Sequence, residues 1–173
     1  MHVQCQQCVQ LHVGRNSWRR QAVRTLLRVI VASALGGVAA GVCAQPSGAE
    51  IYASRCIACH QAGGVGTPGL APPLVANVGR HAASPEGHEY LVRVLLHGLA
   101  GSITVNGVRY VGAMPQAQLS NPELLAVMVH VLKDIEKVDD VAWLTPEYVE
   151  TIRRSGGSPN QTHGLRSKIP AAR

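Results

Sequence analysis

The sequence contains no phenylalanine, and its tryptophans and tyrosines together number six, 3% of the 173 residues. Cores of this size ordinarily use large rings to fill space, so the interior has room for a large flat group of another kind. Charge is also scarce. At 15% charged and 46% apolar, the composition excludes a disordered polyelectrolyte and supports a packed core. The length excludes a multidomain machine and fits one compact domain with tails. Acidic residues are missing from both ends. Residues 1–44 hold five arginines and no acid, and residues 153–173 hold five basic residues and no acid. Residues 45–152 hold six Lys and Arg against all ten Asp and Glu, a net −4. The formal +6 and the pI near 9.4 therefore describe two termini. They do not describe a basic surface for nucleic acid.

The apolar stretch of residues 29–44, at 16 residues, is short of the about 20 needed for a membrane span. Arginines precede it, and it ends in Val42-Cys43-Ala44, the order of a secretory signal: basic region, apolar region, small residues at the cut. Cleavage is expected after Ala44, with residues 1–44 as the signal and delivery to the periplasm. Cys5, Cys8 and Cys43 leave with that segment, and the mature charge falls to 11 basic against 10 acidic residues.

Two cysteines remain, in Cys56-Ile57-Ala58-Cys59-His60. The C-x-x-C-H pattern is the attachment site of c-type haem. Two thiols at this spacing reach the vinyl groups of one porphyrin edge, and the adjacent His60 becomes the proximal iron ligand. A disulfide would account for the cysteines but not for the histidine. A zinc site needs a second ligand pair, and no C-x-x-C or H-x-x-x-H follows. A thioredoxin-like dithiol needs a βαβ context, which is not seen.

Helix signals surround the motif. Ser47-Gly48-Ala49-Glu50 and Ser120-Asn121-Pro122-Glu123 are capping boxes. Ser84-Pro85 opens a helix with Leu91, Val94 and Leu95 on one face and Gly98 at its end. Leu124, Met128, Val131 and Ile135 follow the last capping box at helical spacing. Residues 63–69 are a Gly/Pro loop. Asn106-Gly107 marks a tight hairpin with a type I′ turn, and Thr145-Pro146-Glu147 starts a short extra helix ending near Arg154.

Together, residues 48–135 resemble the class I cytochrome c family. The resemblance implies an all-α fold, three core helices around one covalent haem c, here with a short β-hairpin before a methionine loop and a small extra C-terminal helix. It implies a haem domain over residues 45–154 and leaves residues 155–173 as a polar basic tail without regular structure. It also implies the distal ligand. Met114, in Val111-Gly112-Ala113-Met114-Pro115, matches the family's loop methionine followed by proline. Met128 falls on an apolar helix stripe, and His81, His88, His97 and His130 read as surface, helix-end or packing residues. Ala71-Pro72-Pro73-Leu74 is similar to the family's Pro-x-Leu segment, in which a proline carbonyl, here that of Pro72, accepts the proximal imidazole N–H. Arg109 and Tyr110, on the hairpin, are candidates for the propionate side of the haem.

Residues 96–115 are similar to single-haem cytochromes that accept electrons from periplasmic dehydrogenases. The expected role is periplasmic one-electron transfer, as a free carrier or as a subunit, with redox proteins as partners and no substrate chemistry of its own. Such partners would include a dehydrogenase catalytic subunit and a downstream cytochrome or oxidase. Two other readings stay open: a five-coordinate or labile-Met haem that binds a gas or reduces peroxide, and an exported non-haem metal or thiol module using Cys56 and Cys59.

Overall fold

The computed structural model describes residues 45–169. The expected signal segment and its cleavage point at Ala44 lie outside these residues. Helix α1, Gly48–Arg55, is opened by a complete capping box: the Ser47 side chain takes the Glu50 N–H, and Glu50 takes the Ser47 N–H at 2.7 Å. Helix α2, Ile57–His60, is one turn long and carries the motif. Two 3₁₀ turns follow, Ala62–Gly64 and Val78–Ala83. Helix α3, Pro85–His97, has Ser84 as its cap, Pro85 in its first turn and Gly98 at φ 77° after its last residue.

Strands β1, Leu99–Val105, and β2, Val108–Met114, pair antiparallel in the register Leu99 opposite Met114. Asn106 and Gly107 both have positive φ, 49° and 80°, as a type I′ turn requires. Helix α4, Asn121–Val129, starts on the second capping box and continues as a π-helical turn, His130–Ile135. Helix α5 is Pro146–Ser155, and helix α6 is Pro159–Arg166.

The fold is therefore mainly helical with a two-stranded sheet, and all-α is too narrow a class for it. Its core lies where α1 crosses α4 and α3 packs on α5, built on Ile51, Val92, Leu124, Val127 and Val149. At the α1–α4 crossing, a Cβ on Gly48 would stand 2.0 Å from the Ala126 carbonyl oxygen. Only glycine permits that approach. One turn along α1, Tyr52 meets the His130 ring edge-on at 5.6 Å.

Two features depart from the sequence reading. The extra residue in the π turn rotates the end of the C-terminal helix, so that Leu132 is buried while Val131 and Ile135 are only partly so. The tail is also not irregular. Ser158 caps α6 through the Gln161 N–H, and Pro159 occupies its first turn. The helix packs on α3 and β1 with Thr162 1% exposed. Among the described residues, no helix is long and apolar enough to cross a membrane.

Candidate functional site

The thiols of the motif differ in exposure. Cys56 is half-buried, and burial raises its pKa; Cys59 is exposed. Neither is in a disulfide. His60 is 8% exposed, and burial pushes its pKa down, keeping the imidazole neutral. Its Nδ1 lies 3.2 Å from the Pro72 carbonyl oxygen. A carbonyl can only accept, so Nδ1 carries the proton and Nε2 keeps its lone pair.

The loop between them is laced to this geometry. The Gly66 N–H donates to the His60 carbonyl at 2.9 Å, the Thr67 hydroxyl to the Cys59 carbonyl at 2.9 Å, and the Tyr52 hydroxyl to the Gln61 carbonyl at 2.8 Å. Gly66 has φ 76°, and a Cβ there would stand 2.6–2.7 Å from the backbone of Ala71, Pro72 and Pro73. Gly63 also has positive φ, 68°, but has open space around it. Gly66→Ala is therefore expected to destabilise the protein well beyond the ~1–2 kcal/mol of backbone strain that both positions carry. Gly63→Ala should cost only that strain, a contrast that thermal melts of the two variants will measure.

The distal candidate enters from the hairpin. Met114 is the last residue of β2, opposite Leu99. Gly98 lets the two chains close: a Cβ there would lie 2.5 Å from the Met114 carbonyl oxygen. The Ala117 N–H bonds the Leu95 carbonyl at 2.9 Å, tying the segment after Pro115 to α3.

Two adjoining cavities, of about 160 Å³ and 90 Å³, share His60, Leu74, Val78, Leu91, Val94 and Met114 in their walls. They are two lobes of one cleft. Cys59 lines one lobe and Cys56 the other. Leu91, Val94 and Leu95, the apolar face of α3 read from the sequence, are only partly buried and line this cleft. Apolar walls, a neutral imidazole and a thioether beside two free thiols are what a covalently held haem needs. No three His, Cys, Asp or Glu side chains among the described residues converge as a metal cage.

The remaining candidates separate. Tyr110 is buried and lines the larger lobe. Arg109, on the other face of β2, is exposed, donates to the Ser102 hydroxyl at 2.7 Å and is outside the lining. Met128 is 5% exposed in the core and also touches the smaller lobe. The sequence reading missed two residues of α6. Arg166 lines the larger lobe, and His163 Nε2 lies 2.8 Å from the Ser102 carbonyl oxygen. The signal that could have found this helix was Ser158-Pro159, the same cap-and-proline pair that opens α3.

Comparison with known proteins gives the same picture. Residues 44–131 match the family described as Cytochrome C oxidase, cbb3-type, subunit III. The chain is 41% identical over 150 residues to a cytochrome c-552 of Thermus thermophilus, covering 84% of this chain and 97% of that protein. A second cytochrome c-552 of the same species is 41% identical over 129 residues, covering 72% of this chain and 98% of the relative.

Proposed function

The chain belongs to the c-type cytochrome family, a covalent-haem electron-transfer protein, and from that premise we propose how its own residues serve the task. Cys56 and Cys59 would anchor the haem as thioethers, with His60 as its proximal and Met114 as its distal iron ligand. The observation that carries this reading is that His60 and Met114, far apart in sequence, line the same apolar cleft between the two thiols. When bound, the haem supplies a one-electron Fe(III)/Fe(II) couple, and thioether ligation favours the reduced form.

The protein's part is positioning. The Pro72 carbonyl holds the His60 ring and increases its basicity. Met114 is held by the end of the hairpin and by Pro115, which restricts its backbone. A haem held by both His60 and Met114 would leave no open site for substrate at its iron, and the largely apolar walls would limit water around it. Electrons enter and leave near the exposed Cys59 edge. Tyr110 serves the polar side of the cleft, whereas Arg109, engaged with Ser102 on the outer face, has no part in it.

The protein works in the periplasm after removal of residues 1–44, as a free carrier or as the electron-accepting subunit of a dehydrogenase. Export is supported by the order of charge and apolarity in those residues, and the dehydrogenase link by the resemblance of residues 96–115. Spectroscopy of the purified holoprotein tests the ligation. The oxidised form should show the weak far-red band of a ferric iron–thioether bond, and the reduced form should not bind carbon monoxide. An absent band with ready carbon monoxide binding would instead establish the five-coordinate reading.

A further inference from the structure

Helix α6 brings a cation into the cleft that has no counter-ion of its own. Arg166 lines the larger lobe, and its Nη1 donates to the Tyr90 hydroxyl at 3.0 Å. The same Nη1 lies 3.4 Å from His81 Nε2, and Nη2 lies 3.4 Å from the Thr104 carbonyl oxygen. No Asp or Glu among the described residues pairs with it.

Its neighbours are as telling as its charge. A guanidinium can only donate, so His81 Nε2 accepts and the His81 proton sits on Nδ1. His81 is 7% exposed, lines the same lobe, and its Nδ1 is buried with no partner. Burial, with Arg166 and Arg80 nearby, lowers its pKa to about 4, so the ring stays neutral at ordinary pH. The Tyr90 hydroxyl, accepting from Arg166, still has its own proton to give. Arg166, Tyr90 and His81 thus present a positive charge, a hydroxyl proton and a buried ring N–H that no carboxylate among the described residues meets. A buried donor without an acceptor is costly, and His81 Nδ1 is such a donor.

We propose that Arg166, with Tyr90 and His81, is the carboxylate-binding wall of the cleft, and that it receives one propionate of the haem whose iron lies between His60 and Met114. The planar guanidinium offers two parallel N–H groups to a carboxylate, and the Tyr90 hydroxyl fixes its orientation. The inference rests on the haem placement proposed above. It adds that α6, and not Arg109 on the hairpin, provides the charge that neutralises the propionate.

The test uses the holoprotein and Arg166→Gln, with Tyr90→Phe, which removes only the hydroxyl, as a milder second variant. Arg109→Gln is the control. Resonance Raman spectra should show the haem propionate bending mode displaced in Arg166→Gln and, less, in Tyr90→Phe, and unmoved in Arg109→Gln. The reduction potential should fall in Arg166→Gln, because an unneutralised propionate favours ferric iron, and Arg166→Lys should restore part of it. The far-red band should persist throughout, which separates failure here from failure of the axial reading. A propionate mode and potential unchanged in Arg166→Gln, or displaced by Arg109→Gln, would overturn the proposal. So would inorganic phosphate that stabilises the wild type against heat but not Arg166→Gln, since a free anion would then hold the site.

Discussion

Replacing Met114 with alanine is expected to abolish the far-red band, open the reduced iron to carbon monoxide and lower the reduction potential. The drop should be a sizeable share of the roughly 0.8 V over which axial ligands set haem potentials. A thioether stabilises ferrous iron relative to water or hydroxide, and the alanine leaves only solvent to take the sixth position. The fold should survive the change. Met114 is only partly buried, its strand is held by backbone pairing to β1, and its side chain faces the cleft. Met128 makes the decisive comparison because it also borders the smaller lobe. It belongs to the core, 5% exposed, and Met128→Ala should cost about 2–5 kcal/mol of stability while the far-red band stays. Should the two variants exchange phenotypes, the distal ligand is Met128 and the hairpin has a different role.

The second large effect concerns the thiols. The double variant Cys56→Ser, Cys59→Ser is expected to lose all haem retained on a denaturing gel, and each single variant should keep one thioether and a weaker haem stain. Serine preserves size and polarity, so only the sulfur chemistry changes. The double variant should also lose stability by more than a single core truncation, about 2–5 kcal/mol. Leu91, Val94 and Leu95 would then face a cleft with nothing covalently held against them, and a group bound only to the native state stabilises it by mass action. Thermal melts of the single and double variants will measure the difference. Haem retained in the double variant would show that other residues attach it.

Much of this was legible because the signals are local. A capping box is complete within four residues, and both of those in the sequence are formed, at Ser47 and Ser120. Asn106-Gly107 needs no partner to declare a hairpin. The motif around His60 sets its chemistry by spacing alone. What was hidden depends on residues distant in the chain. Helix α6 has almost no apolar periodicity and is held through Thr162, His163 and Arg166 against α3 and β1, so a hydrophobic pattern cannot reveal it. The π turn at His130–Ile135 keeps a helical spacing of apolar residues in sequence while shifting which of them is buried. Arg109 was attractive as a charge beside the Met114 segment, but strand alternation turns it outward and leaves Tyr110 facing in. The His81 and Arg166 pairing spans 85 positions, beyond any local rule. The scarcity of aromatic side chains fits a cleft walled largely by aliphatic residues, in which the proposed haem would supply the large ring.

The placement of α6 after every other described element bears on how the protein is assembled. Cys56, Cys59 and His60 lie in the first described turns, whereas the helix that brings Arg166 to the larger lobe is made after all of them. A chain emerging amino end first therefore presents its attachment motif before the closing wall exists. Arg166, through the Tyr90 hydroxyl and the Thr104 carbonyl, then ties this last helix to α3 and to the hairpin.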